Sequence, residues 1–325
     1  MVDVLRSVSD WASRSGYLVT WADRGLLDLA YKEVWTRRDS GELDPEFYGR
    51  WLEPVTAYRP ALGPAASSIL IIAVPRPAHI VRFETRSGLI ETIVPPVFIQ
   101  DKSVPKRILD ELTGLVGDGA RLEPMGGKQG LHKSVAARAG LVRYGRTNIT
   151  FTSGFGSYLQ IVPFVTDVEI PHDARAPKAP QALDECTDCR LCEHACPTGA
   201  IGADRFLLRA HRCLVYFNED IYEWPDWLPA TSHHCLVGCM KCQEACPANA
   251  GKLRLETVPE VFTFQETTAI LNDFSRSDDL QSSARHGPVW DSIRDKLTSI
   301  KLPWLEYMIG RNMRALEKAR GCQWS

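Results

Sequence analysis

The first 185 residues contain no cysteine, no stretch of the chain stays apolar for long, and neither sign of charge dominates. Each absence closes off a class of explanation. The longest apolar run, Ile69 to Val74, falls far short of the roughly 20 residues a helix needs to cross a bilayer. With 38 Lys and Arg against 40 Asp and Glu, the formal net charge of −2 gives no global basic field of the kind that marks a dedicated nucleic-acid binder. A local basic patch is still compatible with that balance. The N-terminus, MVDVLRSVSDWASRSGYLVTW, lacks the charged start, continuous apolar core and small-residue cleavage site of a secretory signal. The Arg37-Arg38 pair has no apolar run behind it and does not read as a twin-arginine signal. A cytoplasmic protein with no membrane partner is expected.

What the chain does have is concentrated cysteine. Of ten cysteines, nine fall between Cys186 and Cys246, and Cys322 stands apart near the end. A chain of 325 residues, 44% apolar, can build a core without a disulfide framework, so this density points to metal. Cys186-Thr-Asp-Cys189-Arg-Leu-Cys192-Glu-His-Ala-Cys196-Pro197 is the C-x2-C-x2-C-x3-C-P run of bacterial ferredoxins. Three thiolates at that spacing let one tight loop wrap a 4Fe-4S cubane while the fourth points to a second cluster. Pro197 then ends the loop and can start a helix. Structural zinc more often pairs two separate C-x2-C knuckles.

The second group, Cys239-Met-Lys-Cys242-Gln-Glu-Ala-Cys246-Pro247, is one cysteine short of a full run. Cys213 and Cys235 are the two candidates for the missing ligand. Crossed ligation assigns Cys186, Cys189, Cys192 and Cys246 to cluster one, and Cys196, Cys239, Cys242 and one of that pair to cluster two. Taking Cys213 leaves Cys235 as an extra, packed thiol. Cys322 is expected to be inert, and His194, His233 and His234 are expected beside the ligands or at the surface rather than on iron.

Periodicity organises the rest as an α+β chain. Val4, Leu5, Val8, Trp11 and Ala12 recur at helical spacing before Gly16, and Tyr17 to Trp21 follows as a strand. Ser67 to Val74, ending at Pro75, has the pattern of a strand covered on both faces and should be central to a sheet. Further strands are expected at Leu89 to Val94, Asn148 to Thr152 and Tyr158 to Val165, with helices at about Lys106 to Leu115 and Leu131 to Ala139. This is a layered α/β arrangement. Three prolines between Pro171 and Pro180 mark a boundary just before the first cysteine. The expected division is therefore 1–175, 181–255 for the cluster domain, and 256–325 for a helical extension. In that extension Leu305, Met308, Ile309, Met313 and Leu316 form one apolar face within Trp304 to Arg320.

The segment Ser134-Val-Ala-Ala-Arg-Ala-Gly-Leu-Val-Arg-Tyr-Gly-Arg-Thr147 resembles the AxxAGLGWxGKN segment of the epoxyqueuosine reductase family. Gly156-Ser-Tyr-Leu with Thr166-Asp167 resembles the strand that follows it there, and His211-Arg-Cys213 stands where that family has RRC. The resemblance covers about Leu131 to Asn249 and, more weakly, Gly310-Arg-Asn-Met-Arg-Ala-Leu. It implies a nitroreductase-like N-terminal domain holding cobalamin base-off, followed by a ferredoxin-like double-cluster domain. Electrons would pass from an external donor of ferredoxin or flavodoxin type, through both clusters, to cobalt, with a corrinoid protein as a further partner. It favours Cys213 over Cys235, and it places Arg138, Gly145, Arg146, Thr147, Ser157, Tyr158 and Tyr216 around the cofactor. Reductive dehalogenases are more distant relatives of the same arrangement.

The departures from the family are specific. Its catalytic aspartate falls on Gly126, its proline and glutamate fall on Gln129 and His132, and Val142, Arg143 and Pro163 replace further motif residues. Epoxyqueuosine is therefore not the expected substrate. His132 and Tyr158 are the candidate proton donors. Lys128, His132, Lys133, Arg138, Arg143 and Arg146 form a basic stretch suited to phosphate contacts from a cofactor tail or RNA. The leading reading is a cobamide-dependent iron–sulfur reductase of an unknown substrate. The second is an electron-transfer or corrinoid-activating protein with no small-molecule substrate of its own.

Overall fold

Six consecutive apolar residues leave a strand no polar side to offer water, so the Ile69 to Val74 run must be covered on both faces. The computed structural model, which describes residues 2–99, 103–117, 119–126, 131–171, 177–202, 204, 206–219, 224–273, 285–321 and 324, does this with two helical layers. Its strands are β1 (Leu18–Asp23), β2 (Ser68–Pro75), β3 (Ala78–Thr85), β4 (Gly88–Val94), β5 (Leu122–Pro124), β6 (Arg143–Tyr144), β7 (Thr150–Phe151), β8 (Leu159–Thr166) and β9 (Leu255–Phe262). They belong to two compact units. One is Met1–Arg76 with Lys102–Arg190 and Ala203–Leu208; the other is Pro77–Asp101 with Leu191–Gly202 and Arg209–Ser325.

In the first unit an antiparallel sheet runs in the order β1-β2-β8-β5, with Ser68 opposite Thr166 and Pro75 opposite Leu159. Alternate β2 side chains go to opposite faces. Ile69 and Ile71 pack with Leu26, Leu27 and Ala30 of helix Leu26–Asp39 and with Val135 to Ala137 of helix His132–Arg138. Leu70, Ile72 and Val74 pack with Val8, Trp11 and Ala12 of helix Val2–Arg14 and with Val104, Ile108 and Leu112 of helix Ser103–Thr113. Each of these aliphatic side chains contributes roughly 1.5–3 kcal/mol by leaving water, which fixes β2 at the centre. The expected strand at Asn148 to Thr152 is shorter than foreseen, because Asn148 adopts a left-handed φ of 58° in the turn before β7.

The second unit is built on the sheet β4-β3-β9, in which β3 and β9 are parallel, with Ala78 opposite Leu255. Phe83 and Phe262 stack across that pair, ring centroids 4.7 Å apart. Helices Phe264–Leu271, Pro288–Ser299 and Ile309–Arg320 cover them, and Trp290, Ile293, Leu305, Met313, Leu316 and Trp324 share the same core. The two compact units divide the chain differently from the expected three parts. Among the described residues, 77–99 fall in the second unit, where β3 finds its parallel partner in β9, and helices within 256–325 supply much of that unit's core. Trp304 to Arg320 is also not one helix: a 3-10 turn, Pro303–Tyr307, precedes Ile309–Arg320. The anticipated apolar face of Leu305, Met308, Ile309, Met313 and Leu316 is buried throughout.

Candidate metal centre

The two C-x3-C-P segments, both in the second unit, fold alike. Short helices Leu191–Ala195 and Lys241–Glu244 each carry a cysteine, Cys192 and Cys242, and pack against each other. Each is followed by a cysteine whose N–H bonds back into its own helix, Cys196 to Glu193 O at 3.2 Å and Cys246 to Gln243 O at 3.3 Å. Pro197 and Pro247 then turn the chain away. Cys213 enters separately, from the residue that ends the turn Ala210–Arg212.

Electrostatic influence shows which thiols are neighbours. Burial raises the Cys213 pKa to about 12, helped by Cys239 and Cys196 although the Val215 N–H opposes it. Cys239 is pushed up to about 11 by burial against the Lys241 N–H, with Cys196 adding to the rise. Cys242 is raised by burial and then by Cys239, Cys213, Cys196 and Cys192. Cys196 differs: burial raises its pKa, but the Thr198 N–H and hydroxyl and the N–H groups of Ile201 and Ala200 outweigh it and stabilise the thiolate. Cys196, Cys213, Cys239 and Cys242 thus influence one another, with Cys192 also acting on Cys242; burial first and mutual repulsion second raise Cys213, Cys239 and Cys242, while Cys196 is lowered. Such a set takes up cations by releasing protons. All nine described cysteines are free of disulfides. Among the described residues no three His, Cys, Asp or Glu side chains are grouped as a single-ion site.

Cys235 is placed differently. It is 1% exposed and bridges to Ile93 beside the Leu236 N–H to Ile93 O bond of 2.9 Å. Burial is the main cause of its raised pKa, followed by Cys239 and Glu244. Cys322 lies outside the described residues.

The first two cysteines of the run belong to the first unit. There the β6–β7 hairpin grips the chain leading to them: Tyr144 N bonds Gln181 O and Leu183 N bonds Tyr144 O, both at 2.8 Å. Arg143 pairs with Asp184 through both guanidinium nitrogens and donates Nε to Ala182 O at 3.0 Å. Arg146 donates Nη2 to Cys186 O at 2.6 Å and Nε to Cys189 O at 3.2 Å. Arg138 pairs with Glu33 at 2.8 Å. Three of the arginines read as phosphate contacts therefore hold protein. Lys133 donates to Asn148 O at 3.1 Å, and although solvent reaches it, surrounding protein desolvates the ammonium and lowers its pKa. Lys128 and Gln129 lie outside the described residues.

His132 sits across the chain from Gly126. Its Nε2 is 2.9 Å from Met125 O, so that nitrogen carries the proton and donates it to the carbonyl. Burial lowers the ring's pKa despite bonds with Met125, Gly126 and Ile161, which keeps it neutral. A proton already committed to a carbonyl is poorly placed for delivery to a substrate. Tyr158, Thr147 and Ser157 are 3%, 3% and 8% exposed, and Gly145 has Phe151 Cε2 only 2.6 Å from where a Cβ would stand. Tyr216 is half-buried in the second unit, edge-on to Phe217 at 5.3 Å.

Comparison with known proteins bears on both units. The family described as 4Fe-4S double cluster binding domain matches residues 185–249, a span that holds all nine clustered cysteines. Epoxyqueuosine reductase of Bacillus subtilis (strain 168) is 32% identical over 120 residues, 37% of this chain and 29% of that protein. The one from Staphylococcus aureus is 28% identical over 170 residues, 52% of this chain and 37% of that protein. A solved structure of the Bacillus subtilis reductase superposes with a TM-score of 0.67 at 20% identity, covering 97% of this chain and 82% of that one. The chain is epoxyqueuosine reductase-like in sequence and fold. A structure of epoxyqueuosine reductase with an epoxyqueuosine-modified tRNA stem loop aligns with a TM-score of 0.68 at 19% identity, covering 97% and 81%. The sequence matches span about a third of the curated relatives' length. No described helix is long and apolar enough to cross a membrane.

Within this epoxyqueuosine reductase-like fold, the residues that shape the second motif's loop were not singled out by the cysteine pattern. Asn218 donates Nδ2 to Gly238 O at 2.7 Å and accepts from Gly238 N at 2.8 Å, directly before Cys239. Asn312 donates to Asn218 O at 2.8 Å and to Leu236 O at 3.1 Å. The weak motif Gly310-Arg-Asn was the available signal. Gly310 passes so close to Ile270 that a Cβ would be 2.5 Å from its carbonyl oxygen, and Arg311 donates to Phe217 O at 3.0 Å.

His233, 4% exposed, is one layer of a stack: Trp224 lies on it at 4.2 Å, and the Arg311 guanidinium is 5.0 Å from the same indole. Burial, then Arg311 and His234, hold its pKa at about 4. A free histidine titrates near ~6.5, so between those values the unfolded chain binds more protons than the folded one. The stabilisation is complete above the unfolded value and is lost as pH falls toward the folded one, by at most ~1.4 kcal/mol per pH unit. His233→Phe keeps the stacking surface and is expected to flatten the fall in thermal midpoint between about pH 6.5 and 5. An unchanged slope would show that His233 does not carry it.

Proposed function

We propose that the chain is a cytoplasmic iron–sulfur, cobamide-dependent oxidoreductase that passes electrons from an external low-potential donor of ferredoxin or flavodoxin type through two 4Fe-4S clusters to a corrinoid, which reduces a substrate other than epoxyqueuosine. The observation that carries the reading is the buried neighbourhood of Cys196, Cys213, Cys239 and Cys242, a donor set of four thiols from three separate segments. We assign these four to cluster two. Cys186, Cys189, Cys192 and Cys246 are assigned to cluster one on their spacing.

When bound, the clusters supply one-electron transfer at low potential. The chain's own contribution is to hold them. N–H groups aimed at the Cys196 sulfur stabilise its thiolate, and the Asn218 bonds fix the backbone before Cys239. The residues expected around the corrinoid are, in contrast, committed to protein: Arg138 to Glu33, Arg146 to two carbonyls, and Thr147, Ser157 and Tyr158 to the interior. They do not offer a corrinoid a surface, so its assignment rests on the family resemblance of the sequence and no step is routed through cobalt.

A second reading, an electron-transfer or corrinoid-activating protein without its own small-molecule substrate, is favoured by one observation. Gly126 provides no acid, and His132 spends its proton on Met125 O. An RNA-binding role has less support, because Arg138 and Arg143 are neutralised by carboxylates. Anaerobic purification with hydroxocobalamin separates the readings. The primary reading expects a bound corrinoid spectrum and turnover without a partner protein; absence of any corrinoid binding would end it, and binding without turnover unless a corrinoid protein is added would support the second.

A further inference from the structure

We propose that Arg146 is a positioning residue for the first cluster: its guanidinium holds the Cys186 to Cys189 loop in ligating shape and raises the reduction potential of the cluster bound there. The proposal rests on the two-cluster reading and extends it to a residue outside the cysteine run.

Arg146 stands in the turn between β6 and β7, half-buried, with Nη2 2.6 Å from Cys186 O and Nε 3.2 Å from Cys189 O. One planar fork spans the carbonyls of two expected ligands. A lysine could reach either as a point charge but could not fix their separation. The turn that presents the fork is itself rigid. Gly145 N bonds Ile149 O at 2.8 Å, Asn148 N bonds Gly145 O at 2.9 Å, and Phe151 fills the space a side chain at Gly145 would need. The preceding chain is gripped by Tyr144 and by the Arg143–Asp184 pair. The loop is therefore held on both sides of Cys186 by protein alone.

The charge has a separate consequence. Arg138 and Arg143 are each neutralised by a carboxylate, whereas among the described residues Arg146 is bonded to carbonyl oxygens. Its positive charge remains beside the ligand loop. Reduction adds one electron to the thiolate-ligated cluster, breaks no bond and requires no proton, so a fixed cation beside the loop favours the reduced state. At the effective dielectric of a protein, a unit charge at such range changes the reduced-to-oxidised ratio on the order of tenfold.

The test uses the full chain, reconstituted anaerobically, with iron and sulfide analysis and an EPR-monitored potentiometric titration. The signal lost in Cys186→Ala identifies cluster one. In Arg146→Gln that signal is expected to move to more negative potential by about tenfold in its redox ratio, or about 59 mV for one electron, while the other cluster stays put. Arg146→Lys keeps the charge, so its midpoint should stay near wild type while incorporation of cluster one falls about twofold. Should Arg146→Gln take up only one cluster, that loss supports the holding role, and Arg146→Lys must then restore the second cluster near the wild-type midpoint. Two clusters at wild-type midpoints in Arg146→Gln, or an equal shift in both variants, would overturn the proposal. Failure of the wild-type chain to take up two clusters would instead count against the cluster reading itself.

Discussion

Cys213→Ala is expected to leave the reconstituted chain with about four irons in place of about eight, and with one reducible cluster by EPR. The reason is local: Cys242 feels Cys239, Cys213, Cys196 and Cys192, and of these Cys213 alone lies outside the two cysteine runs, entering after the Ala210–Arg212 turn. Removing it leaves three thiols and an open iron, which anaerobic handling does not protect from loss. Cys235→Ala provides the contrast. Cys235 is 1% exposed in a backbone bridge to Ile93, so truncation costs packing of roughly 1 kcal/mol or more but no cluster. The assignment fails if iron content stays at the wild-type level in Cys213→Ala and halves in Cys235→Ala.

Thiolate spacing left Cys213 and Cys235 both open for the fourth ligand of cluster two, and the family resemblance favoured Cys213. Two C-x2-C-x3-C-P segments specify two short helices and two proline-terminated turns, and the structure builds both. The centre of the first sheet was legible for an equally local reason, since Ile69 to Val74 has no polar alternate positions. The second sheet was not. β9 reads Leu-Glu-Thr-Val-Pro-Glu-Val-Phe, half of it exposed and interrupted by Pro259, the composition of an edge strand whose partner, β3, lies far upstream. Nothing local announces a parallel pairing, so the sequence does not lead one to expect residues 77–99 in the unit that holds β9. Arg146 shows the same limit at the site. Its charge was visible and suggested a phosphate, but its acceptors, two carbonyls about forty residues on, carry no sequence signature. His132 was read as a proton donor because it was expected near the cobalt face, and only the structure shows its proton directed at Met125 O.

Gly238→Ala is the single methyl group expected to do most damage. Gly238 has φ +75°, and a Cβ there would penetrate the Phe98 ring, lying 2.7 Å from both Cδ2 and Cζ. The backbone cannot retreat, because Asn218 holds both its N–H and its carbonyl in buried hydrogen bonds of 2.8 and 2.7 Å. Phe98 cannot easily retreat either: it is 6% exposed in the second unit's core, with Trp304 at 6.3 Å. A left-handed backbone costs an alanine about 1–2 kcal/mol, and overpacking a core adds about 1–3 kcal/mol. A loss of about 2–5 kcal/mol corresponds to roughly 3–7 °C in thermal midpoint for a chain of this size. Because Gly238 adjoins Cys239, the same strain should lower iron uptake at cluster two while leaving cluster one loaded. Phe98→Ala alone should destabilise by opening a cavity, yet in the double variant the two changes should cost less than their sum, since the methyl then occupies space the ring has left. Additive losses in that cycle, or a Gly238→Ala midpoint within about a degree of wild type, would mean that the loop before Cys239 is not pinned between Asn218 and Phe98.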